Sequence, residues 1–211
     1  MLLAFDTATP AVTVALHDGE RVVAAQTRLD ALRHGELLAP GIAALLEQAG
    51  VPRLDVTAVA VGVGPGPFTG LRVGLVTART LSLALQVPVY GVCTLDVLAA
   101  QAVDERHGTP FLVATDARRK EVYWAAYDGA GARLDGPHVS RPADVATAGD
   151  VVGSGALLYP DAFPRAQGPA HPDAGVLAQL VVGERAELLD PEPLYLRRPD
   201  VAAPRRPKPV S

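Results

Sequence analysis

The chain has little of what most active sites are made from. It holds one cysteine, Cys93, in 211 residues, and its five histidines stand at positions 17, 34, 107, 138 and 171. A single thiol excludes a disulfide framework and any thiolate-rich zinc or iron–sulfur site. No histidine has a second histidine or a carboxylate at a convincing metal-ligand spacing; Leu38 stands four after His34 and Glu36 two after it. Aromatics are also scarce: four Phe, five Tyr and one Trp. A core must therefore be built from Val, Leu and Ala. The longest uncharged runs, 56–71 and 80–95, are 16 residues each and contain Pro and Gly, too short and too broken for a membrane-spanning helix. The first residues, Met1 to Asp6, lack a basic stretch and meet a carboxylate early, unlike a secretory leader. The expected location is the cytoplasm.

The net charge of −4 is unevenly spread. From Pro191 onward, Arg197, Arg198, Arg205, Arg206 and Lys208 oppose Glu192 and Asp200, so the tail carries +3 and residues 1–190 carry −7. Such a body offers no general basic surface for nucleic acid. The tail, with six prolines in 21 residues, is expected to be extended and solvated, with RNA phosphate or an acidic partner as the other reading.

Periodicity predicts strands at 2–6, 11–16 and 21–27, the latter two joined by Asp18-Gly19, which tolerates the positive φ of a tight hairpin. A helix follows with Leu37, Leu38, Ile42, Leu45, Leu46 and Ala49 on one face, Pro40 being placed in its first turn and Gly50 with Pro52 as the stop. A strand (56–63), a helix (71–85), a strand (87–92) and a helix (95–105) complete the first half. The pattern then restarts. A slide of 110 positions superimposes Leu2 on Leu112, Ala4 on Ala114 and Asp6 on Asp116. The same slide puts Val12, Ala15, Asp18 and Gly19 on Val122, Ala125, Asp128 and Gly129, seven identities in 18 positions. This is an internal duplication whose second copy is cut short. The expected division is a first lobe at 1–108, a truncated second lobe at 109–190, and a tail at 191–211.

Two strands ending in Asp6 and Asp116 suit a cleft between similar lobes, where Thr7, Thr9 and backbone amides hold a phosphate and a carboxylate reaches a metal through water. The plainer reading is that Asp6 caps a turn. Gly153 and Gly155 either let an adenine lie against bare backbone or form a tight turn. The stretch from Gly62 to Gly74 (GVGPGPFTGLRVG) is not a P-loop, since no Gly-Lys-Ser/Thr follows, and Pro65 and Pro67 remove two amides an anion would use. It reads as a stiff turn into a helix, with Thr69 as its cap and Gly70 and Gly74 permitting close approach. The helices 37–49 and 71–85 carry more apolar residues than one core face consumes. Either a partner or neighbouring loops cover the excess.

Phe5-Asp6-Thr7-Ala8-Thr9, His34-Gly35-Glu36-Leu37-Leu38-Ala39-Pro40, Gly64-Pro65-Gly66-Pro67-Phe68-Thr69-Gly70-Leu71-Arg72, Asp116–Tyr123 and Pro193–Arg197 together resemble the TsaB (YeaZ) family. Pro67 stands where that family usually has Ser, and Arg119-Lys120 replaces a less basic pair. The resemblance implies an α/β chain with the duplicated actin/hexokinase-like ATPase (ribonuclease H-like) fold and a reduced second lobe. It implies a non-catalytic dimerisation subunit for the TsaD paralogue, in a complex that also contains the ATPase TsaE and forms N6-threonylcarbamoyladenosine beside the anticodon. Membership implies no required cofactor, with ATP or ADP at the complex interface, tRNA reached only through the complex, and a homodimer when alone. Carried onto this chain, the partner face would hold His34, Glu36, Leu37, Leu38, Ile42, Leu45, Leu46, Leu71, Arg72, Leu75, Ala78 and Ser82. Charged substitutions at Leu45 or Leu75 are then expected to weaken pairing and spare the fold. A small ATPase or kinase of the same fold is the alternative. No nucleophile–base constellation supports a peptidase.

Overall fold

The computed structural model describes residues 1–106 and 108–197; His107 and the tail from Arg198, with Arg205, Arg206 and Lys208, lie outside the described residues. Two sheets organise the chain. The first has β1 (Leu2–Asp6), β2 (Ala11–His17), β3 (Val22–Leu29), β4 (Ala58–Gly62) and β5 (Val89–Val92) in the order β3-β2-β1-β4-β5. β1 pairs antiparallel with β2 and parallel with β4, so β1 is central and every one of its residues is buried. β3 alternates between half-buried and exposed residues because it is an edge strand with one face to solvent.

The helices α1 (His34–Ala49) and α2 (Phe68–Leu85) cover one face of this sheet, with Leu38, Leu45, Leu71 and Leu75 packed on Phe5, Val14, Val59 and Val61. The other face is covered by α3 (Thr94–Arg106) together with a helix from far along the chain, α5 (Ala174–Val182), whose Ala174, Leu177 and Ala178 pack on Leu2, Ala4, Ala15 and Ala60. Small residues in β1, β2 and β4 let α5 approach closely. Asp173 caps α5 by accepting from the amides of Gly175 and Val176.

The second sheet repeats the plan in brief: β6 (Gly108–Asp116), β7 (Val122–Gly129), β8 (Arg133–Ser140) and β9 (Val151–Val152), in the order β8-β7-β6-β9. As in the first sheet, the opening strand is antiparallel to the second and parallel to the strand after the hairpins. The copies differ by one step: Ala4 faces Ala15, whereas Ala114 faces Trp124, because the last pair of the first copy is Asp6 with Thr13 and that of the second is Asp116 with Val122, which encloses one residue fewer. A single 3-10 turn (Pro142–Val145) stands where the first copy has α1, and α4 (Ser154–Leu158) is all that follows β9 before α5. This is the duplicated ribonuclease H-like, actin-type fold with its second lobe reduced.

Some boundaries move for physical reasons. α1 begins at His34 rather than at Leu37, so Pro40 lies inside the helix and not in its first turn; its missing amide falls on the exposed side, where its neighbour carbonyl can meet water. The segment after β9 turns helical at Ser154, directly after Gly153. α5 ends at Val182, with Gly183 as its cap.

Candidate functional site

The carboxyl end of β1 carries Asp6, Thr7, Ala8 and Thr9, and all four are buried. Asp6 Oδ1 accepts from the amide of Ala8 at 2.6 Å and Oδ2 accepts from the Thr94 hydroxyl at 2.7 Å. A Cβ on Gly62 would overlap this carboxylate. The group is thus enclosed by β4 and the start of α3 rather than open to a cleft. Burial pushes its pKa up to about 6, against the lowering effect of Thr94, the Ala8 amide and the nearby His34. The folded protein therefore holds this proton more tightly than the unfolded chain does. The contribution of Asp6 to stability is complete below pH 3.8 and is lost as pH rises through about 6, a swing of at most about 3 kcal/mol. Asp6→Asn is expected to remove that swing: urea midpoints of variant and parent should diverge between pH 4 and 8, with the parent losing more. Parallel pH profiles would show that Asp6 is not buried as a strained acid.

Thr7 and the glycines of the β4–α2 connection form one packed unit. The Thr7 hydroxyl donates to the Gly70 carbonyl at 2.8 Å and accepts from the Gly74 amide at 3.0 Å. A Cβ on Gly70 would stand 2.6 Å from the Thr7 carbonyl oxygen, and one on Gly74 2.6 Å from the Thr7 hydroxyl. One on Gly66 would overlap the Ala8 carbonyl. The glycines are there so that α2 and its leading loop can lie directly on the end of β1, the packing role read from the sequence. Thr69 does not cap α2. The helix starts at Phe68, its capping residue Pro67 supplies no side-chain bond, and Thr69 is exposed in the first turn.

The second half of the expected cleft is closed in the same way. Asp116 Oδ1 accepts from the Arg118 amide at 2.8 Å, and Oδ2 lies 3.5 Å from the Arg118 guanidinium. Gly153 and Gly155 are pressed against the backbone of Ala114 and Thr115, so they serve close packing of α4 on β6. Between the lobes, Thr9, Pro67, Thr115, Asp116, Arg118 and Ser154 enclose a cavity of about 10 Å³, where a small-molecule site has roughly 300 Å³ or more. The six residues expected at a nucleotide cleft thus stand at equivalent strand ends, but they do not line a nucleotide-sized space. Thr9 instead accepts from its own successor turn, its hydroxyl bonded to the Ala11 amide at 3.2 Å, and its carbonyl lies 2.8 Å from His34 Nε2. A larger hollow of about 260 Å³ lies beside it, between the first turns of α1 and α2, lined by Thr9, His34, Gly35, Thr69, Gly70 and Arg118.

The expected partner face needs correction residue by residue. His34, Leu38, Ile42, Leu45, Leu71, Leu75 and Ala78 are buried in the chain's own core and present nothing to a partner. Leu37, Leu46 and Ser82 are half-buried; Ser82 donates to the Val87 carbonyl at 2.6 Å, closing the end of α2. Only Glu36 and Arg72 of the twelve are exposed. The outward stripe of α2 is instead Thr69, Arg72, Val76, Thr80 and Leu83, with Val76 61% and Leu83 83% exposed. The matching stripe of α1 is Glu36, Ala39, Ala43 and Glu47, and Leu32 just before it is 93% exposed. The signal was present in the sequence: once Leu71, Leu75 and Ala78 are assigned inward, helical period sends Val76 and Leu83 outward.

The segment after α5 ties the parts together. Leu189 exchanges backbone bonds with Gly91 at the edge of β5, and the Leu194 amide donates to the Val63 carbonyl at 2.9 Å. Tyr195 stacks on Phe68 at 5.3 Å, and its hydroxyl accepts from Arg72. Farther away, a cavity of about 690 Å³ opens between α3, α5 and the β7–β8 turn. At its wall Asp96 accepts from the Tyr127 hydroxyl at 2.7 Å, and Arg133 links Asp96 to Glu187. Burial raises the pKa of Asp96 and pushes the nearby Cys93 thiol up to about 12, which leaves that thiol unreactive. Among the described residues no three His, Cys, Asp or Glu side chains are grouped as a metal site, and no helix is long and apolar enough to cross a membrane.

Comparison with known proteins decides the lineage. The crystallised YeaZ from Pseudomonas aeruginosa superimposes with a TM-score of 0.77 at 33% identity, over 92% of this chain and 99% of that one. The chain belongs to the TsaB (YeaZ) family. An uncharacterised protein of Mycobacterium tuberculosis is 44% identical over 94% of this chain and 92% of its own length. The Escherichia coli protein named tRNA threonylcarbamoyladenosine biosynthesis protein TsaB is 42% identical over 60% of this chain and 54% of its own. The family model for TsaD, described as tRNA N6-adenosine threonylcarbamoyltransferase, matches residues 23–158, from β3 through α4. In this TsaB-family chain the matched region therefore leaves out β1, β2 and α5 and takes in the rest of the first sheet, the second sheet and the helices between them.

Proposed function

We propose that the chain acts in tRNA threonylcarbamoyladenosine biosynthesis as a non-catalytic subunit that pairs with a TsaD-type paralogue. The curated TsaB relatives support the pathway, and the match to the TsaD model supports a paralogue of like fold as the partner. The observation that carries the pairing is the outward face of α1 and α2. Small residues are exposed on α1 (Ala39, Ala43) and apolar ones on the adjoining α2 (Val76, Leu83), which suits close packing of two further helices from a partner built on the same plan. The closed inter-lobe space and the buried Asp6 weigh against the alternative of an ATPase or kinase acting alone. On this reading ATP or ADP enters at the interface with the paralogue, TsaE joins the larger assembly, tRNA reaches the chain through the complex, and the free chain self-associates through the same helices in the cytoplasm. Size-exclusion chromatography with the paralogue, with and without ATP, tests it. Co-elution at equal stoichiometry is expected; separate elution at tens of micromolar would overturn the pairing.

A further inference from the structure

The β6–β7 connection, Ala117 to Glu121, holds three consecutive residues with left-handed backbone: Arg118 (φ 60), Arg119 (φ 55) and Lys120 (φ 61). Glycine or asparagine normally fills such positions, because a Cβ there costs about 1–2 kcal/mol per residue. Here all three are long cations, and all three are exposed. The loop gives up backbone ease to concentrate positive charge at one point.

Further cations surround it. Arg197 pairs with Glu121 and donates to the Ala117 carbonyl at 3.1 Å, and the Arg72 guanidinium lies 3.6 Å from the centre of the Phe68 ring. Four cations, Arg118, Arg119, Lys120 and Arg197, thus stand with two carboxylates, Asp116 and Glu121, and Arg72 lies on Phe68 at the neighbouring cavity, on a chain whose net charge is −4. Beside the loop is a cavity of about 210 Å³ with Phe68, Tyr123 and Tyr195 among its walls, together with Arg118, Arg119 and Arg197. Phe68 is 37% and Tyr195 39% exposed, so part of this stacked pair faces solvent next to the guanidinium groups.

Aromatic rings exposed beside arginines are what an unstacked nucleobase and its phosphates require: the ring or guanidinium plane takes the base, and the cations take the backbone. An acidic peptide would use the charges and leave the rings idle. We infer that the Arg118–Lys120 loop and the Phe68/Tyr195 cavity form a contact site for single-stranded RNA. The site is weak in the isolated chain and adds to whatever the complex provides. It stands on the chain alone and does not require the paralogue to be the partner.

Fluorescence anisotropy of the full chain with a labelled 12-nucleotide oligouridylate in 50 mM salt tests the site, with a poly-glutamate peptide of equal length as the rival probe. Half-saturation is expected at about 10–100 µM, inside the range of sequence-independent nucleic-acid binding. Arg119→Gly with Lys120→Gly is expected to weaken binding about tenfold and to flatten the salt dependence by about 1.4 logarithmic units per decade, two phosphate contacts on a single strand. Glycine suits φ 55 and 61, so that variant should melt no lower than its parent, which separates lost charge from lost fold. Deletion of residues 198–211 is expected to leave at least half of the binding free energy. No RNA binding, equal binding of poly-glutamate, an unchanged affinity in the glycine variant, or loss only on deleting the tail would each overturn the inference.

Discussion

Replacing Val76 and Leu83 together with Asp is expected to lower affinity for the TsaD-type paralogue at least about a hundredfold while leaving the melting temperature of the free chain within a degree or two. The two side chains stand seven residues apart on one stripe of α2, and both are largely in water in the isolated chain. Exposed substitutions away from packed features usually shift stability by less than about 0.5 kcal/mol. A carboxylate forced into an apolar helix–helix contact loses its hydration without a partner, and residues central to an interface cost about 2 kcal/mol or more each when removed. The contrast is with Leu45 and Leu75, 1% and 4% exposed under α1 and α2. A charge at either position sits against Val14, Val59 or Val61 and should unfold the chain, so loss of pairing there would say nothing about the face. Titration by interferometry alongside thermal melts of both sets checks the distinction. Unchanged affinity in the Val76/Leu83 variant would remove this stripe from the interface.

Gly66→Ala is expected to destabilise the chain by at least about 3 kcal/mol, the upper end of what overpacking costs, which for a domain of this size lowers the melting temperature by roughly 6–12 °C. The new methyl would overlap the Ala8 carbonyl, backbone against backbone, with no flexible end to move aside. Relief requires lifting the 64–67 loop from β1, and that also disturbs the Thr7 bonds to Gly70 and Gly74. Gly50→Ala is the control. Gly50 ends α1 with φ 65 and has open space around its Cβ direction, so only the left-handed backbone penalty of about 1 kcal/mol applies. Chemical denaturation of the two variants should separate them clearly; equal losses would mean that the loop is not packed on β1.

These two expectations mark what the sequence could disclose. Strands such as β1 and β6 were legible because an uninterrupted apolar run ending in Asp fits a strand buried on both faces, and because the same pattern occurs twice. The close-packed role of Gly70 and Gly74 was legible because the intervening prolines argued against an anion cradle. The start of α1 was not: Arg33 is a weak capping residue, and the turn before it is held by Asp30, which accepts from the Leu32 and Arg33 amides but stands four residues ahead of the helix. Nor was the place of α5. Its Ala174, Leu177 and Ala178 are apolar on whichever sheet they cover, and only the small residues of β1, β2 and β4, far earlier in the chain, select the first. The partner residues implied by the family resemblance include the most apolar side chains of α1 and α2, yet leucines such as Leu38 and Leu71 are what the chain's own core takes first, leaving valine, alanine and one leucine outside. Likewise Asp6 and Asp116 fell at equivalent strand ends as expected, but whether a space lay between them depended on Gly66, Gly153 and Gly155 packing tightly, which no spacing reveals.

The central claim, that α1 and α2 together form the partner face, is tested most directly by hydrogen exchange on the chain with and without the TsaD-type paralogue. Protection is expected to rise in peptides spanning residues 34–49 and 68–85 and to stay unchanged over β8. Unchanged exchange in both helices, with new protection on the second sheet, would contradict it.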